Sequence, residues 1–276
     1  MKQDKIHIKR KEFLILKKYT SVILILAMTL TIPSFATEST HNWYFSKTQD
    51  HSQPALNAEF SFIDQYSAFY IDECHSDYSS DDKVIYLTFD AGYENGNIEK
   101  ILDVMKEENV TGAFFILENL INRNPELVTR MASEGHLICN HTAKHPDMTK
   151  CRSFEEFKSE VSSLENICKE KLNIQIAPYF RPPEGKFSET TLKYAKDMGY
   201  STIFWSFAYA DWDNNNQMSP ARALEKLKAS VHNGEILLLH PTSATNAEII
   251  KDFICFLKEE GFRFGSLTEL TEKKMK

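Results

Sequence analysis

The sequence contains no stretch of twenty apolar residues, no cysteine pair at CxxC spacing, no basic stripe and no internal repeat. Each absence removes a class of protein. The longest apolar run, 22–32, has 11 residues, about half of the roughly 20 that a bilayer-spanning helix needs. The five cysteines (Cys74, Cys139, Cys151, Cys168 and Cys255) are odd in number and widely spaced, so neither a disulfide framework nor a Cys/His zinc finger is expected. Glycine and proline number only nine each against 42% hydrophobic content, which excludes collagen-like, low-complexity and disordered chains. Positive charge is scarce where it would matter. The first 36 residues hold seven Lys/Arg and two Asp/Glu, leaving 25 basic and 37 acidic residues in the remainder. An acidic body without clustered Lys/Arg has nothing with which to bind phosphates, so no nucleic-acid partner is expected.

Residues 1–36 read as a targeting segment: a basic stretch over 2–18, the apolar run, then Ser34-Phe35-Ala36 with small residues where a signal peptidase reads. Export is the expectation, with peripheral membrane association through this segment as a secondary one. Residues 37–82 form a polar, aromatic arm expected to pack on the body. From residue 83 onward short apolar runs recur at 84–89, 111–117, 136–140, 177–180, 201–207, 235–240 and 262–266. Their lengths and β-branched content suit strands buried on both faces. Between them lie amphipathic stretches at 97–109, 125–133, 154–171, 189–198, 220–232 and 244–260, with apolar residues at helical three-four spacing. About seven alternations predict an α/β fold of parallel strands with crossover helices, bearing an N-terminal aromatic arm. A distorted (β/α) barrel of about seven parallel strands fits better than an open sheet, although the pattern alone does not separate the two. The body is expected to run over 83–270 and to end in a basic tail, 271–276.

In such folds chemistry collects at the carboxyl ends of the strands. The first run ends in Thr88-Phe89-Asp90-Ala91-Gly92-Tyr93-Glu94-Asn95, and the third leads into His141-Thr142-Ala143-Lys144-His145-Pro146. Arg181-Pro182-Pro183-Glu184-Gly185 follows the fourth, Ala210-Asp211-Trp212-Asp213 the fifth, and His240-Pro241 the sixth. One polar residue after a strand is ordinary; this series is a constellation. His141 and His145 are four apart, so one turn brings both rings to one side. Two neutral imidazoles with open positions suit a divalent ion acting as a Lewis acid. Alone, such a pair is a weak signal, as is a strand-end Asp, which often caps a helix.

These ordered motifs, over 83–270, resemble the polysaccharide deacetylases with a NodB-type domain, carbohydrate esterase family 4. Within that family the string at 88–96, Arg181-Pro182-Pro183 and the arm beginning Trp43-Tyr44-Phe45 are similar to the delta-lactam-biosynthetic de-N-acetylases of spore formers. The resemblance implies hydrolysis of the N-acetyl group of N-acetylmuramic acid in the peptidoglycan glycan strand, on the way to the muramic lactam of spore cortex. It implies Asp90 as catalytic base, Arg181 as its tether, His240 as general acid oriented by Asp211, and an oxyanion donor at the Glu184 amide. Tyr93, Glu94, Asn95, Pro182 and Trp212 are the remaining expected substrate contacts. The acidic Glu184 side chain beside an anionic glycan has no explanation in the sequence.

The chain departs from the wider family at Ala91, where a second Asp usually completes an Asp-His-His metal site. The resemblance implies a divalent metal, zinc being the expectation, held by His141 and His145 with water or substrate completing the shell; a metal-free enzyme is the alternative that Ala91 leaves open. Two rivals remain: a deacetylase of another N-acetylated glycan, such as N-acetylglucosamine of peptidoglycan or chitin-type chains, and a catalytically silent glycan-binding protein, which only Ala91 supports.

Overall fold

In the computed structural model residues 39–48 and 50–274 are described, so the export segment expected over 1–36 lies outside the described residues. The arm enters with β1 (His41–Asn42), a 3₁₀ stretch (Ala58–Tyr66) and β2 (Ala68–Phe69). The body follows as β3 (Lys83–Ala91), α1 (Ile98–Glu107), β4 (Ala113–Ile116), α2 (Glu118–Arg123), α3 (Pro125–Ser133), β5 (Leu137–Asn140) and α4 (Phe154–Leu172). Then come β6 (Tyr179–Phe180), β7 (Lys186–Phe187), α5 (Glu189–Asp197), β8 (Ser201–Ile203) and α6 (Pro220–Ser230). The chain ends with β9 (Glu235–Leu239), α7 (Ala244–Glu259), β10 (Phe262–Phe264) and α8 (Leu267–Lys274).

The sheet runs in the order β10-β3-β4-β5-β6-β8-β2, with β9 also on β3, and every pairing in it is parallel. A parallel bridge from Phe207 to Leu237 brings the chain beyond β8 onto β9, which curls the sheet into a distorted barrel. Alternation along β3 builds two layers. Val84 and Tyr86 join one core with Phe115, Cys139, Tyr179 and Ile203. Ile85, Leu87, Phe89 and Ala91 face the other way, into a core shared with Ile101, Met105, Phe253 and Leu257 of the helices.

Three local expectations change. The run 201–207 is not one strand: Phe204 donates its amide to Phe69 of β2, whereas Ser206 donates to Ile236 of β9. The arm strand β2 occupies one side of β8, so the chain changes partners halfway. A short helix, α2, lies between two expected elements. The boundary at 270 is absent, because α8 runs across it and Thr271 is buried with its hydroxyl on Leu267 O. All five cysteines are free thiols.

Candidate active site

The carboxyl ends of β3, β5, β6 and β9 converge on one cleft of about 910 Å³, lined among others by Asp90, Tyr93, His141, His145, Glu184, Trp205, Trp212 and His240, a size suited to a small ligand.

Arg181, directly after β6, is fully buried. A guanidinium taken out of water is costly unless its donors are satisfied, and here they are. Nε donates to Ile203 O (2.9 Å), Nη1 to Asp90 Oδ1 (2.9 Å), and Nη2 to Thr88 Oγ1 (2.9 Å) and Phe204 O (3.2 Å). Its Cζ lies 4.1 Å from the Phe115 ring centroid. Burial pushes the Asp90 carboxyl up, but the charges of His141 (carried only at the low pH where this carboxyl titrates), Arg181 and His240 outweigh it and hold the group below its ordinary value. Asp90 is therefore a fixed carboxylate at neutral pH.

His141 donates Nδ1–H to Arg181 O at 2.8 Å, since a carbonyl only accepts. That fixes the tautomer and leaves the Nε2 lone pair 3.5 Å from Asp90 Oδ2. Burial pushes its pKa down to about 4, against the opposing pull of Asp90, so the ring is neutral, as a metal ligand must be. His145 packs edge-on against it, centroids 5.0 Å apart. The connection is not the helical turn that the four-residue spacing suggested. Thr142 (φ 72°) and His145 (φ 61°) both adopt left-handed backbone, with the His145 amide donating to Thr142 Oγ1 and the Thr142 amide to Asn140 Oδ1. Glu184 is also left-handed (φ 56°). Strained non-glycine residues of this kind persist where surrounding structure over-determines them, and they cluster at functional sites.

These residues fit a metal seat of two imidazoles, with the rest of the shell left to water or ligand oxygen. Among the described residues no group of three or more His, Cys, Asp and Glu could hold an ion. The reason is visible at Ala91: its side chain is in the helix-facing core, and a methyl offers no lone pair.

Beyond β9, His240 presents one edge to the cleft and the other to Asp211. Nδ1 donates to Asp211 Oδ1 (2.7 Å) and the His240 amide to Oδ2 (2.8 Å). Burial opposes the imidazolium, yet the hydrogen bond and charge of Asp211, joined by Asp90, raise the His240 pKa above its ordinary 6.5. Asp211 is itself held by Asn246 Nδ2 (2.6 Å), and Tyr209 OH donates to Asn246 Oδ1. Asn246 was legible only as one polar residue in a helical run. The only sequence signal was an amide placed at the three-four spacing of that helix's apolar stripe.

Several expected substrate contacts have other partners. Glu94 caps α1, accepting from the Gly96 and Ile98 amides (2.7 and 3.0 Å), where a carboxylate complements the helix dipole. Asn95 donates to Thr242 O (2.8 Å), as does Asn97 (2.9 Å), so both steady the His240 loop. Pro182 is buried behind the cleft, its carbonyl accepting from Gly185. Tyr93 and Trp212 do line the cleft and are 44% and 64% exposed. Large apolar faces left open at a cleft are what a sugar ring can cover. Lys186 sits 2.6 Å from the Glu184 carboxylate, which neutralises the acidic group that the sequence left unexplained.

A polysaccharide deacetylase family profile matches residues 77–203. The chain is 40% identical over 237 residues to the peptidoglycan-N-acetylmuramic acid deacetylase PdaA of Bacillus subtilis, covering 85% of this chain and 88% of that protein. Its structure superposes on that of Bacillus subtilis PdaA, a family 4 carbohydrate esterase, with a TM-score of 0.79 and 39% identity over 86% of this chain and 98% of that one. A family 4 carbohydrate esterase from Bacillus anthracis follows at a TM-score of 0.68 and 36% identity, covering 85% and 97%. With a relative this similar along nearly its whole length, and with the motifs gathered in one cleft, the chain belongs to the polysaccharide deacetylases, the carbohydrate esterases of family 4.

Proposed function

We propose that this enzyme removes the acetyl group from N-acetylmuramic acid in peptidoglycan, the step that precedes the muramic lactam of spore cortex. The observation that carries the reading is that Asp90 and His240, a carboxylate held ionised and an imidazole held protonatable, line one cleft. Amide hydrolysis requires both a group to take a proton from water and one to give a proton to nitrogen. Asp90 takes the proton while Arg181 fixes its orientation. His240, its Nδ1 engaged by Asp211, delivers a proton to the departing amine from Nε2. The Glu184 amide is the proposed donor to the oxyanion. When bound at His141 and His145, a divalent ion such as zinc supplies Lewis acidity to the acetamide oxygen and acidity to a water. Identity to a protein named for N-acetylmuramic acid supports the choice of sugar.

The test is acetate release from peptide-stripped muramoyl glycan and from chitin oligomers, with and without added zinc. Release from the muramoyl glycan alone is expected. Release confined to chitin oligomers would transfer the reading to N-acetylglucosamine, and release from neither would leave a glycan-binding protein. Mass analysis of the treated glycan separates loss of acetyl from loss of acetyl plus water, and so reports whether the lactam closes on the same enzyme. Action on cell wall also requires export, which we propose for the basic and apolar segment over 1–36. Fractionation of cells carrying the chain with and without that segment checks it.

A further inference from the structure

The arm does more than cover the barrel. β1 pairs antiparallel with β7, His41 opposite Phe187 and Asn42 opposite Lys186, and β7 is the continuation of the Arg181-Pro182-Pro183-Glu184-Gly185 loop. The next arm residue, Trp43, is buried and makes two hydrogen bonds that bracket the cleft wall. Its amide donates to Gly185 O (2.8 Å) and its indole Nε1–H to Trp205 O (2.9 Å). Its ring stacks on Phe204, centroids 4.3 Å apart and planes within 16°. Gly185 has no room for a side chain: a Cβ there would lie 2.8 Å from the Trp205 ring and 3.1 Å from Trp43 Cβ, at a φ of 65°. The two segments that Trp43 joins are those that build the site. One carries Glu184. The other supplies the Ile203 and Phe204 carbonyls that hold Arg181, and through it Asp90.

We propose that Trp43 is a positioning residue for the deacetylation site: it pins the Glu184–Gly185 turn and the 203–205 segment to each other, so that the catalytic domain is incomplete without its arm. The inference rests on the function proposed above. Trp43 does not line the cleft; its effect is on where the Arg181 frame and the Glu184 amide stand when the amide bond is attacked. Misplacement of that kind lowers turnover more than binding.

Trp43→Phe keeps an aromatic ring on Phe204 and removes the indole donor. The expected result with muramoyl glycan is a fall in kcat of about ten-fold with KM within about two-fold, because a small displacement of reacting groups carries that penalty. Gly185→Ala, which drives a methyl into the Trp205 ring, should reproduce the split. Gln53→Ala is the control: Gln53 is also in the arm, but donates to the Asp72, His75 and Asn233 carbonyls near the amino ends of the strands. It should lower the melting temperature and leave kcat unchanged. Hydrogen exchange gives a readout independent of activity, with amides at 185–187 and 204–206 exchanging about five-fold or more faster in Trp43→Phe. Unchanged exchange and unchanged kcat in Trp43→Phe, or a kcat loss equalled by Gln53→Ala, would overturn the proposal. A wild-type chain that releases no acetate would overturn the deacetylase reading alone, the exchange result still deciding whether Trp43 frames the site.

Discussion

At the scale of the residue, the site consists of a few polar groups whose charge states are set by their neighbours. Asp90 stays ionised because Arg181 and the nearby imidazoles outweigh the penalty of burial, and His240 is kept protonatable because Asp211 does the same with the opposite sign. Replacing Asp90 by Asn, or His240 by Ala, should lower the rate of acetate release by about two to four orders of magnitude; release at the normal rate from either variant would show the role to be misassigned. The pH profile adds a signed test. Asp211 raises the His240 pKa, so Asp211→Asn should lower it, and activity that needs imidazolium should then fail at lower pH. The alkaline limb of kcat is expected to move toward acid, and a limb that stays in place would detach it from His240. Asp90, Arg181, His141, His145, Asp211 and His240 were all legible as single letters after apolar runs. The uses of Glu94, Asn95 and Asn246 were not, because a carboxylate or amide reads the same whether it meets a sugar, a helix end or a loop carbonyl.

At the scale of the element, most strands and helices follow from hydrophobic periodicity. The exceptions occur where a partner distant in sequence intervenes. Nothing within 201–207 indicates that its strand will exchange β2 for β9 midway, and nothing in His141–His145 indicates a turn built on two left-handed residues rather than a helical one. β9 also carries a penalty that depends on pH. Glu235 at its start is fully enclosed, and burial pushes its pKa from 4.5 up to about 8, opposed by the His232 amide that it accepts. The folded state thus retains a proton that the unfolded chain releases above pH 4.5. The sign follows: stability is greatest below that pH and declines as pH rises toward 8. At about 1.4 kcal/mol per pH unit the decline amounts to a few kcal/mol. Glu235→Gln should flatten it, so that urea melts of the variant and the parent, compared at pH 5 and pH 8, differ more at the higher pH. Parallel curves would place the raised pKa elsewhere.

At the scale of the whole molecule, the arm and body form one catalytic unit, since β2 joins the barrel sheet and β1 holds the loop that follows Arg181. The metal seat proposed at His141 and His145 is correspondingly lean. With two imidazoles and Ala91 in place of a third ligand, chelator is expected to abolish acetate release at lower concentrations than an Asp-His-His site would require, and added zinc to restore it. His141→Ala should lose zinc binding by calorimetry; undiminished binding would move the seat away from these residues.

What the sequence determined by itself was the alternation of strand and helix and the identity of the groups just past each strand. Both are written locally, in hydrophobic periodicity and in the rule that parallel strands present their carboxyl ends to one side. Only the tertiary structure decided which of those groups face each other, which are diverted to capping and clamping, and that an arm over a hundred residues away in sequence closes the wall of the cleft. Those are contacts between distant segments, and a side chain's hydrogen-bond partner is chosen by what folding places beside it.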